Sequence, residues 1–136
     1  MDDLLLDTGV VSFFLPAKNR PERTLYEPHL EGRRLILSFQ SVAELWFLAR
    51  KNAWGNRRQE NLRKFLGKFL VLPADAELAE AWADVTAASE NLGQRLETAD
   101  AWIVATAFHY ELPLVTHDRD QLILQELGGR VITELP

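Results

Sequence analysis

The sequence predicts an α/β fold, a mostly parallel sheet of about five strands held between layers of helix. Two observations lead there. Five short apolar runs, at residues 4–6, 34–39, 69–72, 112–116 and 131–132, read as strands. Between most of them lie segments whose apolar residues recur at helical spacing. Strands joined through helices pair in parallel and are covered on both faces.

The elements follow in order. Leu4, Leu5 and Leu6 form a first strand that stops at Asp7. Residues 10–15 suit a short helix cut by Pro16, and residues 22–30 a second helix ended by Gly32. Residues 34–39 are the second strand. From Ser41, Val42, Leu45, Trp46 and Ala49 keep a helical period that Gly55 closes. Asn56 opens the next helix, with Gln59 as its capping-box partner and Leu62, Phe65, Leu66 and Phe69 on one face. Residues 69–72 are the third strand, ended by Pro73. Residues 75–91 form a long helix with Leu78, Ala81, Trp82 and Val85 inward. Residues 98–110 are apolar nearly all round, as in a buried helix. A strand at 112–116, a last helix at 119–127, a Gly128-Gly129 turn and an edge strand at 131–132 complete the chain.

Composition bounds the rest. The chain has 136 residues, 47% hydrophobic and 26% charged, which is most simply one globular domain spanning residues 1–136. It has no cysteine, which excludes disulfides, zinc–thiolate sites and thiol nucleophiles and fits a reducing interior. The acidic start MDDLLLD is unlike a secretory signal, and no apolar stretch approaches the ~20 residues that span a bilayer. A soluble cytoplasmic protein is expected. The net charge of -5 argues mildly against a nucleic-acid partner, but seven of the fifteen basic residues fall between Arg50 and Lys68. That run contains Arg50, Lys51, Arg57 and Arg58, which can contact phosphates or simply solvate a helix face.

Four carboxylates stand beside apolar runs: Asp7, Glu44, Asp100 and Asp118. Asp7 and Asp118 directly follow strands, and Glu44 and Asp100 are placed in first helical turns. All four therefore belong to the edge where strands end and helices begin, the edge at which parallel sheets gather functional groups. Converging carboxylates repel unless they protonate or share a cation, and a set of hard oxygen ligands suits Mg²⁺ or Mn²⁺. Each also has a plain structural reading. Asp7 and Asp118 can be helix caps, Asp100 a first-turn acid, and Ser41-x-x-Glu44 a capping box. The three histidines lack metal-type spacing and read as surface or partly packed residues.

Taken together, Asp7-Thr8 after the first strand, Glu44 in SVAELWFLAR, Asp100 in DAWIVATA and Thr116-His117-Asp118 before a leucine-rich helix resemble the PIN domain. They are most similar to toxins of the VapC type from bacterial or archaeal toxin–antitoxin pairs. The resemblance runs from LLLDTGVVS to LGGRVIT, with Gly9 where the family often has Asn and Val104 where Ala is common. It implies a PIN-like α/β/α sandwich and a metal-dependent endoribonuclease. Asp7, Asp100 and Asp118 would bind the metal, with Glu44 binding it or orienting water, and Thr8 and Thr116 in support. Asp120 is a spare, solvated acid. The resemblance further implies RNA as substrate, a VapB-like antitoxin as partner and a homodimer, with Trp46, Phe47 and Trp54 in a region that can serve as dimer face or antitoxin groove. Two other readings remain open: a catalytically inactive scaffold that binds RNA or protein, and a phosphoacceptor receiver domain.

Overall fold

In a computed structural model, which describes residues 3–16 and 19–136, the chain forms one five-stranded sheet between two helical layers. The elements are β1 (Asp3–Leu6), α1 (Thr8–Ser12), α2 (Glu22–Leu30), β2 (Arg34–Ser38), α3 (Phe39–Lys51), α4 (Asn56–Leu66), β3 (Leu70–Leu72), α5 (Ala76–Asn91), α6 (Thr98–Tyr110), β4 (Leu114–Val115), a 3₁₀ helix (Arg119–Gln125) and β5 (Val131–Ile132). The strand order is β3-β2-β1-β4-β5, and every pair is parallel. The order reverses at β1: the chain first builds outward through β2 and β3, then returns to add β4 on the other side. The crevice at such a reversal, beyond the carboxyl ends of β1 and β4, is where open α/β sheets bind ligands.

The strand alternation separates two cores. Leu4 and Leu6 join Val10, Tyr26, Leu37, Leu45, Leu62 and Val115 on one face, under α1 to α4. Leu5 joins Ile36, Leu78, Val85, Ile103, Leu114 and Leu124 on the other, under α5, α6 and the 3₁₀ helix. Period-two alternation sends neighbouring leucines of β1 into different layers, so a one-residue slip would exchange them. At the opposite end of the sheet Arg34 pins the register, donating to Asp3 through Nε at 3.0 Å and Nη2 at 2.6 Å. Helix α6 is buried at six positions, as its all-round apolar sequence predicts.

Local differences from the sequence reading each have a cause. Helix α3 begins at Phe39, because Ser38 is its N-cap and accepts from the amides of Gln40 and Ser41. Glu44 therefore lies in the second turn, not the first, and Ser41 and Glu44 form no capping box. Gly55 caps α4 without a side chain; Gln59 instead donates to the Trp54 carbonyl at 2.7 Å and accepts from Arg50. Strand β4 is only two residues long. Glu111, left-handed at φ 54°, ends α6, Leu112 N–H returns to the Ala107 carbonyl, and Pro113 has no N–H for the ladder. The last helix is 3₁₀ and stops at Gln125. Gly129 closes it so tightly that a Cβ would come within 2.6 Å of the Leu124 side chain. Among the described residues no helix is long and apolar enough to cross a membrane.

Candidate metal centre

Asp7, Glu44, Asp100 and Asp118 line one cleft of about 410 Å³ at the β1/β4 edge. Positions far apart in sequence reach it because Asp7 and Asp118 follow β1 and β4, which end at that edge, while Asp100 lies in the first turn of α6 and Glu44 in the second turn of α3.

Asp7 ends β1 and is 2% exposed. It caps α1, its Oδ1 accepting the Val10 N–H at 2.7 Å, while Oδ2 accepts the Thr116 hydroxyl at 2.5 Å. Burial pushes its pKa up from 3.8 to about 6. The hydrogen bonds from Thr116 and from the amides of Val10 and His117 oppose that rise, and the neighbouring charge of Asp118 adds to it. Cap and cleft residue are thus one role: the backbone amide that fixes the helix start also fixes the carboxylate.

Asp118 likewise caps the 3₁₀ helix, its Oδ1 accepting the Asp120 N–H at 2.9 Å and its own N–H donating to Thr116 Oγ1 at 3.0 Å. Asp100, in the first turn of α6, is half-buried. Burial raises its pKa, and the charges of Asp118, Asp120 and Glu44 raise it further against a hydrogen bond from Gln121. Carboxylate oxygens of Asp100, Asp118 and Asp120 lie within 4.8 Å of one another. Asp120 is exposed, as its sequence position suggests, yet it completes this set. Glu44 accepts the Thr8 hydroxyl at 3.0 Å, and Thr8 in turn stands 2.9 Å from the buried Ser41 hydroxyl.

Four groups in the site carried no sequence signal of their own. Gln121, 2% exposed, donates from Nε2 to Asp100 Oδ1 at 3.0 Å, and its Oε1 lies 2.8 Å from the Thr116 hydroxyl. It thereby joins the Asp7–Thr116 pair to Asp100. A polar residue three positions after a capping Asp, on the buried side with Leu124, is the only hint the sequence offers. Ser41 reaches Glu44 through Thr8 rather than as a cap. His117 lines the cleft, and the fully buried Tyr26 holds its Nδ1 at 2.6 Å. His29 pairs with Glu134 on the surface and takes no part.

The basic residues stand elsewhere. Arg50, Lys51, Arg57 and Arg58 are not among the cleft's lining residues. Arg50 and Arg63 lie over the Trp46 ring, each at 5.1 Å, and Arg58 over Trp54 at 3.8 Å. Phe47 is 66% exposed, unlike the two tryptophans.

The donor set fits a hard divalent cation. It is entirely oxygen; burial first, and neighbouring carboxylate charge second, raise the pKa of Asp7 and Asp100, and a bound cation would favour the charged form of both. The supporting hydroxyl and amide donors orient the carboxylates, as second-sphere groups do around metals.

Comparison with known proteins agrees. The family model described as PIN domain matches residues 4–127. A VapC ribonuclease, Y4jK of Sinorhizobium fredii, is 30% identical over 124 residues, covering 85% of this chain and 86% of that protein. Among solved structures, FitAcB from Neisseria gonorrhoeae superposes with a TM-score of 0.75 at 25% identity, covering 95% of this chain and 96% of that one. DNA-bound VapBC from Salmonella typhimurium gives 0.80 at 22% identity, covering 98% of both chains, a likeness of fold alone.

Proposed function

This chain belongs to the PIN domain family, and on that premise we propose that it is a metal-dependent endoribonuclease, the toxin of a VapBC-type toxin–antitoxin pair. One observation carries the reading: carboxylates from four separated elements line a single cleft, and two of them, Asp100 and Asp118, stand with the neighbouring exposed Asp120 so that their oxygens lie within 4.8 Å of one another. A phosphoacceptor receiver domain is disfavoured because the acid after β3, Asp75, caps α5 through the Leu78 amide and does not line the cleft.

Asp100, Asp118 and Asp120 would hold Mg²⁺ or Mn²⁺, with Asp7 and Glu44 completing the negative field from the adjoining walls. When bound, the ion would lower the pKa of water and neutralise charge developing on the phosphate. The chain's own groups prepare that chemistry. Thr116 and the Val10 amide hold Asp7 as an acceptor at the cleft wall. Thr8 fixes the Glu44 carboxylate with one oxygen engaged and the other free. Gln121 does the same for Asp100. Leu45 and Ile103 floor the cleft with apolar surface, which limits water behind the acids.

Solved structures of similar fold include VapBC from Salmonella typhimurium and a toxin–antitoxin complex from Klebsiella pneumoniae, which supports a VapB-like antitoxin as partner. Such a partner can silence the cleft by placing arginine against its carboxylates. We further read the protein as a cytoplasmic single domain acting as a homodimer, with Arg50, Lys51, Arg57 and Arg58 meeting RNA phosphates beyond the cleft.

The test is incubation of purified protein with total cellular RNA in Mg²⁺, in EDTA, and as Asp100→Asn. Endonucleolytic fragments should appear only for the wild type with metal. Equal fragmentation by Asp100→Asn would overturn the acidic cleft as the source of cleavage, and none by the wild type in Mg²⁺ or Mn²⁺ would end the proposal and leave an RNA- or protein-binding scaffold.

A further inference from the structure

An acidic cleft must still hold the polyanion it cuts. No lysine or arginine is among the described residues that line it. Its neutral side-chain donors are engaged or buried: the Ser12 hydroxyl donates to the Gly9 carbonyl at 2.6 Å, Thr8 to Glu44, and the Gln121 amide, 2% exposed, gives one of its two N–H groups to Asp100. The remaining donor is His117, which lines the cleft and whose Nε2 has no hydrogen-bond partner among the described residues.

We propose that His117 contacts the RNA directly, donating from Nε2–H to a backbone phosphate oxygen, and that Tyr26 sets the ring for this task. The inference rests on the ribonuclease reading of the cleft.

The imidazole is fixed in place and orientation. Tyr26 and Phe13 hold it edge-on, with ring centroids at 5.5 Å and 5.6 Å and interplanar angles of 90° and 79°. The Tyr26 hydroxyl lies 2.6 Å from Nδ1, accepts the Glu134 N–H at 3.0 Å, and stands 3.2 Å from the Thr116 carbonyl. It has one proton to give. The shorter contact takes it, because 2.6 Å is the length of a bond donated by a hydroxyl, while 3.2 Å is at the far limit of a useful one. Nδ1 is then the acceptor, and the neutral ring carries its proton on Nε2. The tyrosine thus selects the tautomer that offers a donor and no acceptor to the cleft, which suits phosphate. Tyr26 is fully buried and links α2 to the end of β4 and to the C-terminal segment, so the ring's setting is tied to the core.

Substitutions at 117 separate this contact from a packing role. A glutamine amide can put N–H near the place of Nε2; an asparagine amide reaches only the place of Nδ1. Binding of short random-sequence single-stranded RNA is measured with Ca²⁺ in place of Mg²⁺, alongside Mn²⁺ calorimetry and Mg²⁺-dependent cleavage. His117→Ala and His117→Asn should each weaken RNA binding about tenfold, the size of one lost hydrogen bond to a charged group. His117→Gln should recover most of it, and Tyr26→Phe should fall between. Mn²⁺ affinity should be unchanged in all four. The loss should be equal on poly(U) and poly(A), since a phosphate contact carries no base identity. Any one of three results overturns the proposal: wild-type binding by His117→Ala, equal behaviour of the Asn and Gln variants, or a loss that tracks Mn²⁺ affinity and so runs through Asp118. A loss confined to one base overturns the phosphate assignment, as does a wild type that binds no RNA. Failure of the wild type to cleave sinks the ribonuclease reading by itself, while the binding measurements still decide His117.

Discussion

The Thr116 hydroxyl lies 2.5 Å from Asp7 Oδ2, across 109 residues of sequence, and it joins the ends of two adjacent parallel strands. Thr116 is fully buried and Asp7 nearly so. Thr116→Val keeps the shape and deletes the donor. The buried carboxylate then loses its largest stabilising hydrogen bond, and its pKa should rise further. We expect a loss of about 1–3 kcal/mol in metal-free stability near neutral pH, read by denaturant unfolding in EDTA. The loss should shrink at low pH, where Asp7 is protonated in both proteins.

Asp7 also gives the metal-free protein a pH dependence of definite sign. Its folded pKa, about 6, lies above its ordinary 3.8. Between these values the folded state holds a proton that the unfolded state has released, so the contribution of Asp7 to stability falls as pH rises through that window. It is constant above about pH 6, and the full fall is on the order of 3 kcal/mol. The stability of wild type minus that of Asp7→Asn, measured in EDTA from pH 4 to 7, should decline by a sizeable part of this. Mn²⁺ affinity should run the opposite way and rise with pH through about 6, because the ion competes with that proton. A flat difference curve would contradict the burial argument.

Gln121 makes a separate prediction. Gln121→Leu suits a buried position of the 3₁₀ helix, whose other buried residues are Ile123 and Leu124, but removes the donor to Asp100 and the acceptor beside Thr116. Folding should survive, while Mn²⁺ affinity by calorimetry should drop about tenfold or more, the usual cost of losing a second-sphere partner. Gln121→Glu adds a like charge 3.0 Å from Asp100 and should shift the onset of metal binding to higher pH.

Thr8→Val isolates Glu44 in the same way. Its hydroxyl is the donor to Glu44 Oε1 and the neighbour of Ser41. We expect RNA cleavage to fall about tenfold or more while the melting temperature moves little, since Thr8 is partly exposed. An unchanged rate would remove Glu44's orientation from the account of the site.

The exposed basic residues should act through salt alone. Lys51→Ala with Arg57→Ala leaves the cleft intact, so Mn²⁺ affinity should hold. The slope of log RNA affinity against log salt should flatten by about 1.4, the single-strand value for two phosphate contacts. A slope equal to that of the wild type would place the RNA elsewhere.

Much of this was legible in one sequence, for physical reasons. Strands and helices announced themselves through apolar period, and parallel pairing then forced Asp7 and Asp118 to one edge. Glu44 and Asp100 followed because helices begin where such strands end. Exact starts were less legible. Ser38 and Ser41 are both plausible caps, and only the backbone turn after β2 selects Ser38, moving Glu44 on by one turn. The end of the 3₁₀ helix at residues 119–125 is met by the close approach of Gly129 to Leu124, a contact that no spacing rule contains. The Gln121–Asp100, Ser41–Thr8 and Tyr26–His117 contacts are invisible in the sequence for a related reason. Their partners lie 21, 33 and 91 residues apart, and single polar residues carry no period.

The reversal of strand order at β1 has a consequence for timing. Asp7 precedes its partner Thr116 by 109 residues, and the acids at 118 and 120 belong to the turn after β4, so all three are added only after β1, β2 and β3. A nascent chain lacking them has half a site and one unpaired edge on its central strand. However the chain is made, the four walls of the cleft close only when β4 and the turn after it are laid against β1.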